Sequence, residues 1–100
     1  MSGRIHDLIT AENFAKWAEG RMRVFDVSGD ERITGNCAVA QWMRSSFGVT
    51  DPETGGLWWS LSYGSGANHK TPKWMRCVMN AYDNFERSGP ALAQSARENA

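Results

Sequence analysis

A chain of 100 residues with equal numbers of basic and acidic side chains, eleven of each, has room for one domain and one modest core. Its 41% hydrophobic and 22% charged content excludes disorder throughout, and its zero net charge argues against a protein that grips duplex DNA over its whole surface. The longest apolar run, Cys37 to Ala40, is too short for a membrane span or for the apolar stretch of a secretory signal, so a cytoplasmic protein without membrane contact is expected.

The first element in chain order is a helix that starts at Thr10. Threonine is a good N-cap, Ile9 and Phe14 stand where a hydrophobic staple would hold the entry, and Gly20 supplies the stop. Residues 21–27 read as a strand from the alternation of Arg21, Met22, Arg23 and Val24, and residues 28–35 as a loop. A second helix is expected over 36–47, capped by Asn36 and closed by Gly48, with Val39, Met43 and Phe47 at four-residue spacing. Five of the ten glycines crowd into residues 48–66 and bracket the strongest strand, 57–63. There Leu57, Trp59, Leu61 and Tyr63 share one face, and Trp58, Ser60 and Ser62 the other. A third helix is expected from Thr71 as N-cap and Pro72 at the first helical position, with Gly89-Pro90 as its end. Met75, Val78, Met79 and Tyr82 form its apolar stripe, widened by Trp74, Ala81 and Phe85. The order helix–strand–helix–strand–helix predicts an α+β domain over residues 1–90, with three helices packed on a small antiparallel sheet or hairpin and residues 91–100 as a frayed tail.

Four features bear on chemistry. Cys37 follows a helix cap, where the positive end of the helix dipole favours the thiolate. Against this, a small thiol beside Ala40 fits a buried packing position. Cys37 and Cys77 are forty positions apart, and only His6 and His69 could join them. That is not the pair of close ligand pairs a structural zinc site uses, so no metal and no cofactor is expected, and both thiols are expected to be reduced. Charge is segregated. Residues 54–82 contain no acid but carry Lys70, Lys73 and Arg76, while residues 1–53 carry a net −2 and residues 83–100 a net −1. The acid-free stretch also holds Trp58, Trp59, Tyr63, His69 and Trp74, an interleaving of rings and cations that suits single-stranded nucleic acid or another anionic partner. Lys73, in the first turn of its helix, is disfavoured by the dipole unless it meets an anion. Trp58 lies opposite the main apolar face, where it either anchors an interface or is covered by a helix, and self-association would satisfy both. Gly64-Ser65-Gly66 could offer backbone amides to an anion, but it lacks a phosphate-loop spacing and reads as a strand-to-helix connection.

The run Asn36-Cys37-Ala38-Val39-Ala40-Gln41-Trp42 resembles the nucleophile helix of papain-like amidases and peptidases over about ten residues. The resemblance implies Cys37 as nucleophile and His69 or His6 as base, with Asp83, Asn68 or Asn84 orienting it. His69, in a glycine-rich loop rather than on a strand, departs from that pattern. Over residues 36–90 the chain also resembles small uncharacterised bacteriophage and prophage proteins. The shared features are the cysteine-started helix Cys37-Ala38-Val39-Ala40, a strand, and the proline-started helix Thr71-Pro72-Lys73-Trp74 ending in Tyr82-Asp83. That resemblance carries no activity, only a setting in which small proteins bind and block host machinery, as anti-CRISPR proteins do.

The expectation is therefore a non-enzymatic binding module acting on a host protein with an acidic surface, or on itself, through Trp58, His69, Lys70, Lys73 and Arg76. The alternatives are single-stranded nucleic-acid or phosphate binding by the same stretch, and a cysteine amidase built on Cys37 and His69.

Overall fold

Thr10 opens the first helix with an extended backbone (φ −124°, ψ 157°), and its hydroxyl accepts a hydrogen bond from the Asn13 N–H at 3.2 Å. One of the four orphan donors of the first turn is thereby satisfied. Helix α1 spans Ala11–Glu19 and is closed by Gly20, and the staple pair Ile9 and Phe14 is buried, as the spacing predicts. A 3-10 turn, Ile5–Leu8, precedes it. The computed structural model describes residues 5–22, 24, 38–49, 52–61 and 68–100. The predicted cap Asn36, Cys37, the loop at 28–35, most of the 21–27 strand, Tyr63 and the Gly64-Ser65-Gly66 connection lie outside the described residues.

Helix α2 covers Ala38–Phe47 and buries Val39, Trp42 and Met43. Gly48 ends it in the left-handed conformation (φ +68°), its N–H donating to the Arg44 carbonyl at 3.2 Å. A side chain there would be strained, so glycine is the residue this stop requires.

The sheet differs from the expectation. Arg21, Met22 and Val24 belong to no strand of it; Val24 N–H donates to the Arg87 carbonyl (2.8 Å) and Gly89 N–H to the Met22 carbonyl (3.3 Å). Among the described residues the strands are β1 (Glu53–Thr54), β2 (Trp58–Ser60) and β3 (His69–Lys70), antiparallel in the order β1-β2-β3. Glu53 pairs with Ser60 and Thr54 with Trp59 on one side of β2; Trp58 pairs with Lys70 and Trp59 with His69 on the other. Two-residue strands carry no alternation for a pattern to reveal, and β2 borrows its partners from both flanking segments. The expected inward face holds for Trp59 and for Leu61, which packs on the core, but Leu57 is 73% exposed because β2 begins one residue after it.

Helix α3 runs Lys73–Asp83, and its stripe of Trp74, Met75, Val78, Met79 and Tyr82 is buried. Its start and end both correct the sequence reading. Pro72, not Thr71, holds the cap position; the Thr71 hydroxyl instead donates to the Gly55 carbonyl at 2.7 Å and its N–H to the Leu57 carbonyl at 2.9 Å. The helix ends at Asp83, where Glu86 N–H reaches the Ala81 carbonyl and Phe85 N–H the Tyr82 carbonyl, both at 3.0 Å. This is a Schellman closure with Phe85, at φ +72°, in the left-handed position usually given to glycine. Phe85 is 78% exposed and does not extend the stripe.

Gly89-Pro90 starts a helix instead of stopping one. Helix α4, Gly89–Glu98, is capped by the Ser88 hydroxyl, which accepts from the Ala91 N–H at 3.3 Å. Residues 91–100 are thus mostly helical, and Leu92, Ala93 and Ala96 join the core. The result is an α+β protein with a fourth helix, whose most extensive helix contact is α1 against α4. At the centre, Phe14 lies 5.5 Å from the Trp42 ring and 5.7 Å from the Trp74 ring, and the two tryptophans are 6.2 Å apart, locking α1, α2 and α3 together.

Candidate functional site

The first turn of α3 is tied to the β1–β2 turn by the two Thr71 hydrogen bonds, so Gly55 and Gly56 stand as a ridge between the helix and the sheet. A cleft opens on each side of this ridge. One, of about 430 Å³, is floored by the ridge and walled by α3 through Arg76, Cys77, Met79, Asn80 and Asp83. The other, of about 510 Å³, lies between the ridge and Glu53, Leu57, Trp58 and Asn68. Thr54, Gly55 and Gly56 line both. A side chain built on Gly56 would meet nothing within 4 Å, so the ridge is open at that residue, whereas one on Gly55 would stand 3.3 Å from the Trp58 carbonyl oxygen.

Strand alternation decides where the predicted contact residues point. Trp58 and Lys70 are direct cross-strand partners, share one face and are both exposed, Trp58 by 54%. Leu57, beside Trp58, is the other large apolar group at this edge. His69 belongs to the opposite face. It sits on β3 rather than in a loop, half-buried, with its ring stacked on Trp59 at 4.6 Å. Lys73 and Arg76 are exposed on α3, three positions apart and on the same flank. The structure therefore brings Trp58 and Lys70 together, sets Arg76 across the ridge from them, and turns His69 into a packing partner of Trp59. Cys37, the nucleophile of the amidase reading, lies outside the described residues.

The described arginines away from the ridge are engaged. Arg97 chelates Glu12 and Glu19, Arg21 lies 4.6 Å over the Trp17 ring, and Arg87 lies 3.7 Å over the Tyr82 ring. Among the described residues the side chains of Lys70, Lys73 and Arg76 have no hydrogen bond, ion pair or ring contact. Asn80 and Asp83, on the same flank of α3, are likewise unengaged through their side chains. Sequence reading missed the ridge and Asn80. The available signals were a Gly-Gly pair immediately before Leu57-Trp58 and a polar stripe of 73, 76, 80 and 83 at helical spacing.

Cys77 is a free, half-buried thiol in the α3 cleft. Among the described residues no three of His, Cys, Asp and Glu gather as a metal-ligand set, and no helix is long and apolar enough to cross a membrane. No protein family, curated protein or solved structure matches the chain.

Proposed function

We propose that this chain is a small non-enzymatic binding module that works in the cytoplasm by docking on the acidic surface of another protein. The observation that supports this most is the exposed Trp58-Lys70 pair with Leu57 beside it, next to cations that no acid of the described chain neutralises. Tryptophan anchors an interface because it buries a large, rigid area at low entropic cost, and unpaired lysines and arginines steer an acidic partner into register. The likeness to small bacteriophage proteins supports a host protein as the partner, bound and modulated in the manner of an anti-CRISPR inhibitor.

Trp58 beside Lys70 also suits a single-stranded nucleic acid, whose bases would stack on the ring. Glu53 in one cleft and Asp83 in the other weigh against that reading, since both would repel a phosphate backbone. Affinity capture from a bacterial lysate, with native protein and the Trp58→Ala/Lys70→Glu/Lys73→Glu variant compared by mass spectrometry, tests the proposal. A protein retained by the native chain and absent from the variant supports it. Equal capture by both overturns it, and binding of a short oligothymidylate that weakens steeply with salt would put nucleic acid in its place.

A further inference from the structure

The cleft between α3 and the ridge has opposite charges at its two ends. Arg76 and Asp83 are seven positions apart, or about 10 Å along the helix axis, with the Asn80 amide between them. All three are exposed and unengaged through their side chains among the described residues. Asp83 is the last residue of α3 and Lys73 its first, so both ends of this helix carry charge of the sign its dipole disfavours. Beside them, the Gly56 backbone is open: a side chain there would meet nothing within 4 Å.

Resting on the binding-module reading, we infer that this cleft seats an extended segment of the partner protein carrying an acidic and a basic residue three positions apart. In the polyproline-II form an extended chain advances about 3.1 Å per residue and repeats every three residues, so a three-residue step spans roughly 9 Å, close to the Arg76–Asp83 separation, with both side chains on one face. The acidic side chain meets the Arg76 guanidinium and the basic one the Asp83 carboxylate. Asn80 hydrogen-bonds the segment's backbone as it passes over the glycines. The partner's surface at this cleft is thus a charge pair rather than a run of acids, which separates it from a nucleic acid or a purely acidic tail.

The test titrates acetylated, amidated Thr-Glu-Thr-Thr-Lys-Thr and its reverse, Thr-Lys-Thr-Thr-Glu-Thr, into isotopically labelled full chain and follows the amide resonances by NMR. Saturable shifts at Gly55, Gly56 and the Asn80 side-chain amide are expected with at least one of the two. They should disappear in Gly56→Trp, which fills the cleft from a position where a side chain meets no neighbour, and in Arg76→Glu. Their order preference should invert in Arg76→Glu/Asp83→Arg. No saturable shift with either peptide, or equal shifts with Thr-Glu-Thr-Thr-Glu-Thr, overturns the inference. The two proposals fail separately: a captured partner that Gly56→Trp still binds but Trp58→Ala/Lys70→Glu/Lys73→Glu does not would leave the module reading standing and remove the cleft.

Discussion

At the scale of single residues, two backbone positions near the α3–α4 junction pull stability in opposite directions. A Cβ on Gly89 would stand 2.0 Å from the Arg21 carbonyl oxygen and 2.1 Å from that of Ala18, both main-chain atoms that cannot rotate away. Gly89→Ala should therefore force α4 off α1 and cost about 2–3 kcal/mol or more. Phe85 sits at φ +72° with its ring largely in solvent, so Phe85→Gly relieves strain and loses little packing. A gain of roughly 0.5–1 kcal/mol is expected, after allowing for the greater freedom of glycine in the unfolded chain. Urea midpoints of the two variants should fall on opposite sides of the native value; a loss with Phe85→Gly would mean that the ring is packed. Gly89-Pro90 has the composition of a helix stop. What the glycine serves is a close approach to a helix some seventy positions earlier, which no local pattern records.

At the scale of elements, α3 carries both the best-predicted apolar face and an exposed polar flank. Its apolar stripe was legible because burial repeats every three to four residues. Its polar flank was legible only as scattered charges, because whether Arg76 meets an acid depends on chains that fold against it. Placing Lys73 at the N-terminus and Asp83 at the C-terminus works against the helix dipole. Lys73→Glu and Asp83→Lys should each raise the stability of the isolated protein by about 0.3–1 kcal/mol, read as a higher thermal midpoint at low salt that shrinks as salt is added. An unchanged midpoint for both would show that these charges are already compensated. The sheet is the converse case. β2 announced itself through Leu57-Trp58-Trp59, yet its partners are two residues long and were invisible until the chain turned back at Gly55-Gly56.

At the scale of the whole molecule, α1 and α4 are clasped together. Arg97 of α4 reaches both Glu12 and Glu19 of α1, with contacts between 2.6 and 3.0 Å, two to each carboxylate. Hydrogen bonding to Arg97 holds both carboxyls below their ordinary value of 4.5. A depressed carboxylate pKa stabilises the folded state above the ordinary value and loses that contribution as pH falls through the lowered one. Arg97→Ala should therefore melt below the native protein at pH 7, with the gap closing as the pH drops below about 4.5; a gap independent of pH would assign the effect to packing instead. By itself the sequence determined the class, the first three helix cores, the helix stops at Gly20 and Gly48 and the strand around Trp58-Trp59, because these follow from local spacing and caps. The tertiary structure alone decided that residues 89–98 are a helix, that 53–54 and 69–70 pair on either side of β2, that His69 packs on Trp59 and that Arg76 faces a glycine ridge. Each of these depends on contacts between residues distant in the chain, and short strands and close backbone approaches leave no period in the sequence to read.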